Sequence, residues 1–190
     1  MNLLTESEGD SAVSRAVAYV EEAVTGMPAE LFPVTGVFAE KRGVFVTLTC
    51  NGDLRGCIGY PYPYFVLGSA LKDAACQAAM RDPRFYPVSP AELKNLDIEV
   101  TVLGEPADMT CPAQERPAHV RIGTDGLIAE YEGYRGLLLP QVALEFGWNA
   151  EQFLDQTCIK AGLPPKTWEQ DDCVIQTFEG QIFSRKQPWQ

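Results

Sequence analysis

One short segment of the chain combines a thiol, a guanidinium and two glycines. It reads Leu54-Arg55-Gly56-Cys57-Ile58-Gly59, and we call it the hexapeptide. Residues two apart on an extended strand share a face, so Arg55 and Cys57 are expected to point the same way. A nearby guanidinium favours the thiolate, which is the nucleophilic and metal-binding form of cysteine. The pattern makes Cys57 a candidate nucleophile or acid and the most acidic thiol, with Arg55 setting its charge or holding a substrate.

Neighbouring residues add candidate ligand contacts. Gly56 and Gly59 leave backbone open for close approach of a ligand. Tyr60 opens an aromatic and proline-rich run, residues 60–65, which is suited to lining a pocket. Arg84 is a candidate for holding a small anion together with the hexapeptide. The competing interpretation is structural, because free cysteine is among the most buried residue types and glycines often mark a bulge.

A hairpin is predicted to position the hexapeptide. Residues 44–50 alternate between apolar and polar types, Asn51-Gly52-Asp53 is a strong turn signal, and residues 54–59 return. A two-residue turn does not bring Cys50 opposite Cys57, so we predict no disulfide between them. The six cysteines form no CxxC pair and are interpreted as reduced thiols.

The remaining pattern predicts an α+β fold with a largely antiparallel sheet and flanking helices. A single domain is expected over residues 10–185, with flexible termini at 1–9 and 186–190. Predicted helices cover residues 11–24, 66–81, 141–146 and 149–161. Predicted strands, besides the hairpin, cover residues 96–103, 127–131, 137–139, 173–178 and 181–183.

Charge narrows the class of partner. The 190-residue chain carries 15 Lys+Arg against 26 Asp+Glu, a formal net charge of −11. A nucleic-acid backbone or an anionic membrane surface attracts basic faces, so neither is expected as a partner. The N-terminal residues are not of the signal-peptide type, and no apolar run suits a membrane span. We therefore expect a cytoplasmic protein.

Familiar cofactor and metal motifs are missing from the sequence. His119 is the single histidine, which leaves no site built on two histidines and makes this residue a weak candidate base. The glycines match neither GxGxxG nor GxxxxGK[ST]. No cofactor and no metal are predicted.

The hexapeptide resembles the signature segment of the AMMECR1 family. Further segments resemble that family in the same order, and together the resemblance covers roughly residues 10–185. These segments are Asp82-Pro83-Arg84-Phe85 and residues 98–103, 137–143, 147–148 and 157–164.

The resemblance implies a compact fold with a major and a minor lobe and with the hexapeptide in or beside a cleft between them. It also implies a multi-protein pathway, since some prokaryotic relatives are associated with a Memo-like protein and a radical SAM protein. Two functions stay open at this point. The chain is an enzyme or enzyme-system component that acts on a small molecule at the hexapeptide, or a non-catalytic binding or scaffold protein that uses the same groove. The oligomeric state is left unassigned.

Overall fold

The fold is α+β, as predicted. The computed structural model describes residues 4–30 and 32–189. The helices are α1 (Glu6–Thr25), α2 (Leu67–Met80), α3 (Pro140–Glu145) and α4 (Ala150–Lys160). The strands are β1 (Gly43–Cys50), β2 (Asp53–Tyr60), β3 (Leu96–Leu103), β4 (Ala107–Asp108), β5 (Asp125–Tyr131), β6 (Tyr134–Leu138) and β7 (Val174–Lys186). No helix within residues 4–30 or 32–189 has the length and apolar character that crossing a bilayer requires.

The chain divides into two compact units, as the resemblance to a two-lobed family implied. Unit 1 comprises Met1–Leu103 and Gln181–Gln190, and unit 2 comprises Gly104–Gly180. Strand β7 was expected as two short strands. It forms one continuous strand instead, and its residues contribute to both units.

Unit 1 is an antiparallel sheet packed on two helices. β1 pairs with β2 on one side and with β3 on the other, and β2 lies at the edge of the sheet. Alternate residues of β1 and β3 are fully buried, and α2 packs against β1 and β2. The buried strand residues are Val44, Val46, Leu48, Leu96, Ile98, Val100 and Val102. The core-facing set predicted from alternation on these strands is therefore confirmed, apart from the partly buried Cys50.

Helix α1 begins at Glu6 and not at Ser11 as predicted. Thr5 accepts a hydrogen bond from the backbone N–H of Glu8, whose side chain in turn accepts from Thr5, which forms a capping box. The helix ends at the predicted Gly26, which has a φ of 75°.

Both termini are packed where the structure describes them. Residues 6–9, expected as part of a loose end, lie in the first turn of α1. At the other end, the Trp189 Nε1–H donates to the Val17 carbonyl at 3.2 Å. Residues 1–3 and 190 lie outside the described residues, and the flexibility expected at 1–9 and 186–190 stays a prediction.

Unit 2 builds a second core on a smaller antiparallel sheet. β5 pairs with β6 and β7, β4 pairs with β7, and α4 packs on β5 and β6. Asn149 caps α4 through a capping box with Gln152. Phe153 and Leu154 of α4 are fully buried with Leu127 of β5, which ties the helix to the sheet.

Candidate functional site around Cys57

A two-residue turn joins β1 to β2 and sets the register of the hexapeptide. Asn51 and Gly52 have positive φ values of 53° and 88°, as a type I′ hairpin turn requires. Cys50 lies opposite Asp53, and Cys57 lies opposite a residue of β1 well before the turn. The predicted hairpin is confirmed, and the two cysteines do not face each other.

A β-bulge interrupts the pairing just before Cys57. The register shifts between Leu48, which lies opposite Gly56, and Thr49, which lies opposite Leu54. Arg55 is the extra residue in this pairing. Because a bulge bends the strand and re-aims its side chains, simple alternation no longer fixes where the Arg55 side chain goes.

Both the N–H and the carbonyl of Cys57 form hydrogen bonds with one ion pair from the loop after α2. The Cys57 N–H donates to Asp82 Oδ2 at 2.8 Å, and Arg84 Nη2 donates to the Cys57 carbonyl at 3.1 Å. We call these two side chains the Asp82–Arg84 clamp. Since β2 is an edge strand, the clamp occupies hydrogen-bonding groups that would otherwise be open to another strand. It also fixes the direction of the Cys57 side chain.

Asp82 can do this because its own charge is fully compensated. Its side chain is only 2% exposed and accepts from Arg84 Nη2 at 2.6 Å, from Arg84 Nε at 2.9 Å and from the Arg84 N–H at 3.1 Å. Hydrogen bonds from the Arg84 side chain, with those from the two backbone N–H groups, hold the pKa of Asp82 well below its usual range. The clamp is therefore ionised at neutral pH.

The thiol of Cys57 belongs to a polar row that crosses three strands. Thr47 of β1 lies opposite Cys57, and Glu99 of β3 lies opposite Thr47. The Thr47 hydroxyl donates to Cys57 Sγ at 3.2 Å. We call these three residues the Cys57 row. Because Val46 and Leu48 on either side of Thr47 are buried in the core, alternation places the row on the sheet face opposite α1 and α2.

Burial is the main influence on the Cys57 thiol and raises its pKa. The carboxylates of Asp82 and Glu99 act in the same direction. The hydrogen bond from Thr47 and the charge of Arg84 lower the pKa but do not offset the burial. Cys57 is therefore a protonated thiol at neutral pH.

The surroundings of Cys57 do not favour the expectation that it is the most acidic thiol, because burial raises its pKa. A hydrogen bond from the neighbouring thiol of Cys158 and the charge of Arg116 lower the pKa of Cys173. Cys173 is buried in unit 2. At Cys173 the hydrogen bond from Cys158, with the charge of Arg116, outweighs burial, whereas at Cys57 burial outweighs the hydrogen bond from Thr47 and the charge of Arg84.

Arg55 turns away from the Cys57 thiol. Its Nε donates to Glu92 Oε1 at 2.9 Å, and its guanidinium lies 6.0 Å from the centroid of the Phe85 ring. The Arg84 guanidinium lies 5.4 Å from the same centroid. Both arginines therefore lie near one aromatic ring, but the guanidinium charge that acts on Cys57 is that of Arg84.

Glu92 anchors Arg55 through a local motif. The Ser89 N–H and hydroxyl both donate to Glu92 Oε2 at 2.8 Å, so the capping-box contact expected from the sequence is made. Only a 3₁₀ turn, Leu93–Asn95, follows it. The backbone N–H of Ser89 and the side chain of Arg55 lower the pKa of Glu92 to about 2.

Packing accounts for both glycines of the hexapeptide. A Cβ on Gly56 would collide with the carbonyl oxygen of Ala78 in α2, and a Cβ on Gly59 would collide with the Val44 carbonyl and the Phe45 ring. The interpretation that these glycines leave backbone open for a ligand loses its basis, since protein atoms fill the space where each Cβ would stand.

Tyr60 and Cys57 are separated by the sheet. Tyr60 lies opposite the core-facing Val44, and its hydroxyl donates to Asp73 Oδ2 on α2. Gln77 Nε2 donates to the same oxygen at 2.6 Å. The structure therefore brings Arg84 to Cys57, and Arg55 to Phe85 beside Arg84. It places Tyr60 on the helix side of the sheet.

His119, the candidate base, belongs to a different unit from Cys57. His119 is exposed at the end of a 3₁₀ segment, Ala113–His119, in unit 2. Within residues 4–30 and 32–189, no group of three or more His, Cys, Asp or Glu side chains is arranged to hold a metal ion.

Comparison with known proteins settles the family. The AMMECR1 family model matches residues 12–183. The chain belongs to the AMMECR1 family. A protein of Methanocella arvoryzae is 48% identical over 188 residues, which cover 98% of this chain and 95% of the relative. A protein of Methanocaldococcus jannaschii is 45% identical over 191 residues, covering 99% and 95%.

The fold is shared with a solved structure. The crystal structure of an uncharacterised protein from Pyrococcus horikoshii matches with a TM-score of 0.87 and 43% identity, over 96% of this chain and 93% of that one. The AMMECR1 segments recognised in the sequence lie inside the matched range. None of these names states a reaction.

Proposed function

We propose that this AMMECR1 domain is an enzyme, or one component of an enzyme system, that acts on a small molecule at the Cys57 row. Cys57 acts as a protonated thiol that supplies a proton. The observation that carries the proposal is the contact between the Thr47 hydroxyl and Cys57 Sγ at 3.2 Å, made on a backbone that the Asp82–Arg84 clamp holds on both sides.

Fixed position is what a proton donor needs. A catalytic group contributes most when its geometry is set before the substrate arrives. Here the clamp sets the backbone, and Thr47 sets the side chain. A thiol that only filled space would gain little from a hydroxyl aimed at its sulfur, because free cysteine packs as a small hydrophobic residue.

The proposed step is a proton transfer. The S–H bond of Cys57 breaks, an X–H bond forms on a basic atom of the bound molecule, and the electron pair stays on sulfur as a thiolate. Thr47 already donates to that sulfur, and the charge of Arg84 favours the thiolate. Both interactions are stronger with the anion than with the thiol, so they assist the transfer.

The alternative is a non-catalytic binding or scaffold protein, and one observation favours it. The clamp bonds the backbone of Cys57, not its side chain, and an edge strand gains protection from such a cover. On this alternative the sheet face carrying the row would recognise a partner. The Memo-like and radical SAM proteins associated with prokaryotic relatives are the partners proposed by family resemblance.

Untargeted metabolite analysis separates the two functions. The purified protein is added to a cell extract, and metabolites are followed by mass spectrometry against Cys57→Ser, Cys57→Ala and the control Cys50→Ala. We expect a change in at least one metabolite that both Cys57 variants lose and the control keeps. If metabolites co-purify equally with wild type and Cys57→Ala and none is turned over, the enzymatic function is excluded and the non-catalytic binding function is supported.

A further inference from the structure

A groove on the helix side of unit 1 has the features of a second ligand site. It has a volume of about 540 Å³ and lies between α1, α2 and the segment that follows α1. That volume is within the range of small-molecule pockets, roughly 300–1,000 Å³. The groove is separate from the Cys57 row, because α1 and α2 cover the opposite face of the sheet.

Aromatic rings form one wall of the groove. Tyr19 of α1 and Phe32 meet edge to face, with ring centroids 5.7 Å apart. Faces of such rings attract cations through their quadrupole. Two cations of the chain already use them: Arg15 lies 5.2 Å from the Phe32 centroid, and Lys72 Nζ lies 5.2 Å from the Tyr19 centroid.

Carboxylates form the rim. Glu22, Glu30 and Asp73 line the groove against one lysine, Lys72. Lys72 Nζ lies 3.2 Å from Glu22 Oε2, and its side chain is half exposed. Both hydrogen bonds to Asp73 reach Oδ2, so within residues 4–30 and 32–189 its Oδ1 accepts none. The rim therefore has a carboxylate oxygen that can still accept a hydrogen bond, and it carries more negative than positive charge.

We propose that this groove binds a small organic cation, an amine or quaternary ammonium group attached to an apolar body. The apolar body packs on Tyr19 and Phe32, and the cation lies between the rim carboxylates. Lys72 is the internal counterpart of that ligand, since its ammonium contacts the Tyr19 ring and Glu22 in the same manner. The ligand's cation competes with Lys72, whose half-exposed side chain can swing into solvent.

The test uses probes of matched size and opposite charge. Benzyltrimethylammonium and benzoate are titrated into the full chain, and binding is followed by NMR shifts of the Tyr19 and Phe32 rings. We expect saturable binding of the cation with a Kd of about 1 mM, which is typical of a probe of this size. Benzoate is expected to leave these rings unshifted. Equal binding of both probes, or no saturation of the cation below about 10 mM, would overturn the proposal.

Charge variants distinguish a specific site from the general attraction of a cation to an acidic protein. Two of them are expected to change the affinity for the cation in opposite directions. Asp73→Asn is expected to weaken cation binding about three- to fivefold, as for one partly exposed charge. Lys72→Met is expected to tighten it by a similar factor, because it keeps the apolar stem and removes the competing ammonium. Glu21→Gln, an exposed neighbour of Glu22 outside the groove, is the control with the same charge change as Asp73→Asn.

Thermal melts confirm that each variant is folded before its Kd is compared. If Glu21→Gln weakens the cation as much as Asp73→Asn does, or if Lys72→Met fails to tighten it, the groove is not the site and the proposal fails.

Discussion

The hydroxyl of Thr47 donates a hydrogen bond to the Sγ atom of Cys57 at 3.2 Å. The two residues lie directly opposite each other on β1 and β2, so the contact follows from the hairpin register. It is one of the two interactions that lower the pKa of a thiol whose burial raises it. The consequences for the reactivity of Cys57 can be measured without knowing the substrate.

Removing the Thr47 hydroxyl should make Cys57 less reactive. Thr47→Val keeps the shape and deletes the donor, so the pKa of Cys57 rises further and alkylation by iodoacetamide at fixed pH slows severalfold. The free energy of unfolding should change by no more than about 1 kcal/mol. The rate is read from the Cys57 peptide by mass spectrometry across pH. Thr49→Val, on the same strand face, is the control, and an equal slowing in it would contradict this role of the contact.

The two arginines beside Phe85 should differ in their effect on the thiol. Arg84→Gln removes the positive charge that lowers the pKa of Cys57, so the pH–rate profile of alkylation should move to higher pH. Arg55→Gln removes an equal charge near the same ring and should leave the profile where it is. If the pH–rate profile moves further in Arg55→Gln than in Arg84→Gln, Arg55 is the arginine that acts on Cys57, as strand alternation predicted.

The elements that carry the site were predictable because their signals are local. Asn51-Gly52 encodes the turn through two residues that tolerate positive φ, and apolar alternation gave the faces of β1 and β3. The bounds of β3 match the prediction at both ends. The capping box at Thr5 and Glu8 was also present in the sequence, and giving it weight would have placed the start of α1 correctly.

The chemistry of the site was less predictable because it depends on a bulge and on a distant loop. The bulge at Arg55 breaks the alternation that had placed Arg55 beside Cys57. The Asp82–Arg84 clamp reaches Cys57 from 25 residues away in the sequence, a distance set by the packing of α2 on the sheet. Thr47 and Glu99 were recognised as outward-facing, but their alignment with Cys57 needs the register of three strands.

Acid should weaken the fold through the clamp. The pKa of Asp82 is lower in the folded chain than in the unfolded one, so its stabilisation is fully present above about pH 5 and declines as pH falls through roughly 4. Asp82→Asn should lower the free energy of unfolding at pH 7 by roughly 3 kcal/mol, because it leaves Arg84 without its partner and weakens the bond to Cys57.

Urea unfolding at several pH values tests this. The difference between wild type and Asp82→Asn should shrink as the pH drops below about 4, where the Asp82 carboxylate of the unfolded wild-type chain begins to take up a proton. Asp53→Asn, at an exposed position of the hairpin, removes a carboxylate without a clamp and serves as the control. A pH-independent difference for Asp82→Asn would mean that the ion pair does not contribute as described.

Gly56→Ala tests whether the hexapeptide glycine serves packing or ligand approach. The added Cβ meets the carbonyl oxygen of Ala78, a backbone atom of α2 that can move only with the helix. Overpacking of this kind costs about 2 kcal/mol, so the melting temperature should fall by several degrees. The control substitution Cys57→Ala changes the next residue without entering α2 and should alter stability less. A ligand-approach glycine would behave differently: Gly56→Ala would then keep its wild-type melting temperature and lose only the metabolite turnover that depends on Cys57.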